Sequence, residues 1–189
     1  MVADLRVGRR RARRRGRRVL LTLLVVVVGL AVRARLGAGD GDGAGAAADG
    51  RATVVRVVDG DTVRVQLGGT EESVRLIGID TPETVDPRSP IECFGEQASA
   101  RTKAMLPAGS GVRLVADVEP RDRYHRLLAY VYRDDGTFVN LSLVADGYAS
   151  VLTYPPNVAH EAEFTAAAAE ARDEGRGLWG ACGGPNDAG

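Results

Sequence analysis

From Ala52 onward the apolar residues recur at every second position, a spacing that a half-buried strand requires and a helix cannot use. Val55 and Val57, then Val63, Val65 and Leu67, alternate with Arg56, Thr62, Arg64 and Gln66. Asp59-Gly60 interrupts the run with a turn signal. Gly68-Gly69 turns the chain into Val74-Arg75-Leu76-Ile77-Gly78-Ile79, and Thr81-Pro82 ends that strand. Val112 to Val118 and Leu127 to Tyr132 read as two more strands, with Asp134-Asp135-Gly136 as the turn that follows. Helical patterns come late: Gly95 to Leu106, with Ala98, Thr102 and Met105 on one face; Val139 to Asp146; and Val158 to Glu174, stopped by Gly175 and Gly177. Five strands with three such helices specify the α+β class, a small antiparallel barrel with helices at one side. A stretch of about 130 residues is enough for one core.

What precedes Ala52 is of another kind. The 189 residues carry no net charge, but that zero averages two unlike parts. Residues 1–50 hold 11 Arg against four acidic residues, whereas residues 51–184 hold 13 Arg and one Lys against 20. Nine of the Arg lie between Arg6 and Arg18, and the uncharged run Val19 to Val32 follows. A basic segment before an apolar one is an export pattern. At ~1.5 Å per residue that run reaches about 21 Å, short of the ~30 Å hydrocarbon core. It spans only if Arg33 and Arg35 reach back to the interface. The charge asymmetry puts the amino terminus in the cytoplasm and the remainder outside. The expected organisation is a basic segment (1–18), an apolar signal or membrane anchor (19–36), a Gly/Ala/Asp linker (37–50), the folded domain (51–182) and a short tail (183–189). Cleavage and anchoring both remain open. A basic tail for nucleic acid is the competing reading of the arginines.

Three clusters in the folded part carry chemistry. Asp61 shares parity with Val63, Val65 and Leu67 and so projects from the end of an apolar face, where a carboxylate is costly unless paired or bound to a metal. Its plain alternative is a turn residue in Asp59-Gly60-Asp61-Thr62. Arg75 sits in an apolar strand, while Asp80 and Glu83 flank Thr81-Pro82. A buried arginine wants an anionic partner, and a simple salt bridge to Asp80 or Glu83 satisfies it. Strict alternation sets Arg75 and Asp80 on opposite faces, so their convergence requires the strand to twist or end near Ile79. Asp122-Arg123-Tyr124-His125-Arg126 opens the strand Leu127 to Tyr132; arginine and tyrosine together suit a phosphate and a base or sugar, and a solvated turn is the alternative. Two cysteines are too few for a disulfide-dense scaffold or a four-cysteine zinc site.

In order along the chain, Val58-Asp59-Gly60-Asp61-Thr62, Arg75 to Glu83, Gly95-Glu96-Gln97-Ala98-Ser99, Asp122 to Tyr130, and Pro156-Asn157 to His160-Glu161 resemble the staphylococcal (thermo)nuclease family, over Ala52 to Trp179. The resemblance implies an OB-type five-stranded barrel with three helices, and a Ca²⁺-dependent, sugar-nonspecific nuclease that cuts DNA and RNA to leave 3′-phosphates. It implies Asp61, Asp80 and the Thr81 carbonyl as calcium ligands, a hard-oxygen set suited to that ion. Glu83 aligns or deprotonates the attacking water, and Arg75 and Arg126 hold the phosphate and stabilise its growing charge. Arg123, Tyr124 and Tyr154 fall at the substrate. Cys93 and Cys182 match the disulfide pair that exported members often carry; in the loop-entropy account such a bridge contributes about 4–5 kcal/mol. Two departures stand out: His125 replaces a glycine of the family's best-known member, and Leu152 a nucleotide-contacting tyrosine.

The acidic domain offers little general attraction for a polyanion, so binding depends on the local arginines and calcium. DNA and RNA are the expected partners, with the membrane added if the apolar segment is retained, and a monomer is expected. The rival is a catalytically silent OB module that binds oligonucleotide or another ligand outside the cell. The intact set Asp61, Arg75, Asp80, Glu83 and Arg126 argues against it.

Overall fold

The computed structural model describes residues 50–84 and 92–185. The segments expected over 1–49 and the end of the tail lie outside the described residues. Strand β1 (Gly50–Asp59), opening on the last residue of the expected linker, is followed by β2 (Thr62–Leu67), β3 (Thr70–Leu76) and β4 (Gly78–Asp80). Helix α1 (Gly95–Met105), β5 (Gly111–Val115) and β6 (Leu127–Arg133) come next. Helix α2 (Val139–Ala145), β7 (Ser150–Leu152), α3 (Glu161–Asp173) and a short α4 (Leu178–Cys182) complete the chain. The three expected helices are thus present, with one extra turn of helix near the end.

Five strands close into a barrel in the order β1-β2-β3-β6-β5, and β4 and β7 form a separate two-stranded sheet. Four of the barrel pairs are antiparallel; β3 and β6 run parallel, with Val74, Arg75 and Leu76 opposite Leu127, Leu128 and Ala129. A parallel neighbour needs a long crossover, and the chain from Leu76 to Leu127 supplies it through β4, α1 and β5. The interior is filled by Val63, Val65, Val74, Leu76, Leu114, Leu127 and Val131, all essentially inaccessible to solvent. Each such aliphatic side chain contributes about 1.5–3 kcal/mol by leaving water. Leu143 and Val144 of α2 and Phe164 of α3 extend this core beyond the barrel.

Sequence parity errs in one place. Val55, expected inside, is 37% exposed, and Ala52 and Val54 point inward instead. The β1–β2 register slips between Val54 and Arg56. Val55 is the extra residue of a bulge, and one added residue moves everything before it to the opposite face.

The strand expected to run from Val74 to Ile79 breaks at Ile77. Gly78 has φ +82°, and a Cβ there would collide with the Phe164 ring. Only glycine accepts both the left-handed backbone and this close approach. Asn140 on α2, fully buried, secures the break: its Oδ1 accepts from Val131 N at 2.9 Å and its Nδ2 donates to Ile77 O at 2.9 Å. Gly78→Ala is expected to lower stability by more than about 2 kcal/mol through strain and overpacking together, read as a lower urea midpoint at unchanged m.

Candidate active site

The break after β3 is what lets Arg75 meet two carboxylates. Its Nη2 lies 2.8 Å from Asp80 Oδ1 and 3.1 Å from Asp61 Oδ2. Its Nη1 donates to the carbonyls of Leu76 and Ile79 at 2.8 and 2.9 Å. The guanidinium therefore satisfies two main-chain acceptors at the kink as well as both acids, with a side chain only 15% exposed. Asp61 is buried, as its parity required, and its Oδ2 also accepts from Thr81 N at 3.2 Å while Oδ1 accepts from Thr62 Oγ1 at 2.9 Å.

Asp80 carries the electrostatic load of this cluster. Burial pushes its carboxyl up to about 6; Arg75 opposes that, and the charges of Asp61, Glu92 and Glu83 reinforce it. Crowded anions so placed favour either a proton or a cation. Thr81 is buried beside them, and its Oγ1 has no hydrogen-bond partner. Gly60 makes the room: a Cβ there would lie 2.5 Å from Thr81 Oγ1. Among the described residues no three His, Cys, Asp or Glu side chains converge as a self-contained metal cluster. A cation at this place would rest on Asp61 and Asp80 and complete its shell with other oxygens.

Glu83 follows in the same segment, and its Oε1 accepts from Thr84 N at 2.8 Å. The segment is pinned from below by Asp59, which sequence reasoning treated only as part of a turn. Asp59 is 6% exposed and accepts from Gly60 N at 2.8 Å and Thr84 Oγ1 at 2.7 Å. Burial, with the hydrogen bond and charge of Glu83, raises its carboxyl above the ordinary range against the lowering bonds from Thr84 and Gly60. The available signal was its place at the inward end of β1, two residues from Asp61.

The arginine loop is built around Asp122, also missed. One carboxylate oxygen accepts from Tyr124 N and Arg126 N, both at 2.9 Å, and the other pairs with Arg126 Nε at 2.7 Å. Burial works against this carboxylate's charge, but the bonds to Arg126 hold it below its usual range. The tight turn puts His125 at φ +64°, a conformation that costs a non-glycine residue about 1–2 kcal/mol. Arg123 donates to the Tyr124 hydroxyl at 2.6 Å and lies 4.7 Å over its ring, and the Arg126 guanidinium is 5.5 Å from the same ring.

Arg75, Arg123, Tyr124, Arg126, Leu152 and Tyr154 line one cleft of about 610 Å³. Tyr124 and Tyr154 are largely exposed at its rim. Asp61, Asp80, Thr81 and Glu83 are not among its walls; Arg75 is the side chain common to the cleft and the acidic cluster. Cys93 and Cys182 form a disulfide, with Cα atoms 6.1 Å apart. The Arg172 guanidinium of α3 lies 5.7 Å over the Trp179 ring.

The sequence that builds this barrel and cleft matches a known family. The model of the staphylococcal nuclease homologue family matches residues 73–181. The thermonuclease of Staphylococcus intermedius is 44% identical over 126 residues, 67% of this chain and 74% of that protein. The thermonuclease of Staphylococcus hyicus is 39% identical over 126 residues, 67% of this chain and 73% of that one. Endonuclease YncB of Bacillus subtilis (strain 168) is 39% identical over 129 residues, covering 67% and 60%. The chain belongs to the staphylococcal nuclease homologue family.

Asp80 supplies a test of the electrostatics. A carboxyl raised to about 6 in the native chain and back at its ordinary 3.8 when unfolded binds more protons folded than unfolded between those values. Stability from this group is therefore greatest below pH 4 and lost as pH rises through 6. The side chain is 48% exposed, so solvent screening keeps the effect small. Urea unfolding of Asp80→Asn should show that decline flattened relative to the parent chain, and a carboxyl carbon titration should place the Asp80 midpoint near 6.

Proposed function

We propose that this chain is a Ca²⁺-dependent, sugar-nonspecific nuclease that hydrolyses DNA and RNA phosphodiester bonds and leaves 3′-phosphates. The observation that carries the reading is Arg75, held by Asp61 and Asp80 on one side and opening on the other into a cleft that also contains Arg126, Tyr124 and Tyr154. Relatives named thermonuclease and endonuclease support the reaction class.

The residues suit calcium. Two carboxylates with the Thr81 carbonyl make a hard-oxygen set, and water and phosphate oxygens complete the six to eight positions that Ca²⁺ prefers. The two neighbouring carboxylates of Asp61 and Asp80, which share the single Arg75 cation, support a cluster that a further cation would complete. When bound, the ion supplies a positive charge that polarises the phosphoryl oxygen.

The chain's own residues do the rest. Arg75 and Arg126 bind the phosphate oxygens and stabilise the negative charge that builds on them during in-line attack. Asp122 holds Arg126 through Nε, which leaves the two terminal nitrogens for the phosphate. Glu83 orients the water and accepts its proton as the oxygen–phosphorus bond forms. The bond to the 5′-oxygen breaks, that oxygen takes up a proton, and the phosphate stays on the 3′ side. Tyr124, Tyr154 and Arg123 hold the sugar and base, where stacking tolerates any sequence.

The same reading includes export. The arginine-rich start, the apolar run and a disulfide that persists in oxidising surroundings support a secreted or singly anchored protein with its nuclease domain outside the cell. A monomer acting on DNA and RNA is the simplest form of it.

Hydrolysis of single-stranded DNA by the full chain, with calcium and then with EGTA, tests the proposal. Cutting is expected only with calcium. Glu83→Gln and Arg126→Ala should each lower kcat by about two or more orders of magnitude with the fold intact. Asp61→Ala should weaken calcium binding and activity together. Binding of oligonucleotide without cutting under any condition would move the chain to the silent binding class.

A further inference from the structure

Glu83 is held by a neighbouring carboxylate that is not among the residues proposed to bind the metal or the phosphate. Glu92 Oε2 accepts a hydrogen bond from Glu83 N at 2.9 Å, and Glu92 N donates to Glu83 O at 3.1 Å. The two glutamates are thus joined reciprocally, main chain to side chain and main chain to main chain. Glu92 is itself fixed at two points. Its carbonyl accepts from Gly95 N at 3.0 Å at the start of α1, and its neighbour Cys93 is covalently bound to Cys182 at the end of α4. Gly95 presses the start of α1 onto the same segment: a Cβ there would lie 2.8 Å from Thr84 Cγ2, 3.1 Å from Glu83 O and 3.2 Å from Pro82 O.

We propose that Glu92 is a positioning residue for Glu83, and that the Cys93–Cys182 disulfide holds Glu92 in that role. The inference rests on the reading of Glu83 as the group that takes the proton from water. A hydrogen-bond acceptor is what Glu83 N requires, and the negative charge of Glu92 is not needed for that bond. A carboxamide at position 92 keeps the acceptor and discards the charge, which separates positioning from an electrostatic effect on the acidic cluster.

The test compares Glu92→Ala, Glu92→Gln and Glu83→Gln in the full chain, with steady-state cleavage of a single-stranded oligonucleotide at saturating calcium and amide hydrogen exchange without it. Glu92→Ala should lower kcat by about tenfold to a hundredfold with KM within about twofold, as expected when a reacting group is misplaced rather than substrate lost. Exchange at the Glu83 amide should speed up in Glu92→Ala and stay slow in Glu92→Gln, which should also recover kcat to within about threefold of the parent. If Glu92→Ala does not fold, Glu92→Asp, which withdraws the acceptor by one methylene, takes its place with the same loss expected. Full turnover in Glu92→Ala beside an inactive Glu83→Gln would overturn this inference alone. Equal impairment of Glu92→Gln and Glu92→Ala would overturn it in favour of a charge effect. Full turnover in Glu83→Gln would overturn both the role of Glu83 and the inference built on it.

Discussion

The Arg75 guanidinium sits where the barrel, the strand break and the acidic cluster meet. It donates to the carbonyls of Leu76 and Ile79 on either side of the kink, and it pairs with Asp61 from the β1–β2 turn and Asp80 from β4. Remove the positive charge and two carboxylates at the edge of an apolar core lose their counter-ion while two main-chain acceptors lose their donor. Breaking such a partly buried network by truncating one partner is typically worth several kcal/mol. The site therefore shares its principal cation with the fold. The proposed phosphate binding and structural integrity cannot be separated at this residue, whereas Glu83, Arg126 and Tyr124 are not part of the buried barrel interior.

Around that node the chain uses short polar struts rather than regular structure. Asp59 and Thr102 fasten the β1–β2 turn: Thr102 Oγ1 on α1 donates to Gly60 O at 2.6 Å, and Asp59 receives Thr84. The segment 81–84 is wedged between this turn and the start of α1. On the far side of the cleft, Asn157 exchanges two hydrogen bonds with the main chain of Glu119, at 2.7 and 3.0 Å, and so joins the arginine loop's approach to the segment that carries Tyr154. Loops that would otherwise open independently are tied to the barrel by buried side chains, each bond contributing about 1 kcal/mol net and costing more if left half-made.

Much of this was legible in the sequence, and the failures have physical causes. Period two located β2, β3, β5 and β6, and Asp61 was read as inward-facing because it keeps step with Val63 and Val65. Val55 was read wrongly because a bulge adds one residue without any mark in composition. Asp59 and Asp122 looked like turn residues, which they are; their second role, organising Thr84 and Arg126, depends on neighbours that the fold brings close. Glu92 had no signal at all beyond its place before Cys93. The roles of Glu83 and Arg126 came from resemblance to a family, and alternation alone would have left both as surface charges.

The sequence by itself determined the barrel strands and the three longer helices, because strand period, turn chemistry and helix propensity act within windows of a few residues. It also determined which chemical groups are available: a run of acids near Thr81-Pro82 and an Arg/Tyr cluster before β6. Only the tertiary structure decided which of them meet. Gly78 folds the strand so that Arg75 and Asp80, on opposite faces of an ideal ribbon, converge. The parallel pairing of β3 with β6 brings Arg126 to the cleft that Arg75 also lines. The reciprocal bonds of Glu92, next to the Cys93–Cys182 bridge, hold Glu83 across eight intervening residues. These are contacts between distant parts of the chain, set by closing a barrel around a packed core, and no local window of sequence contains them.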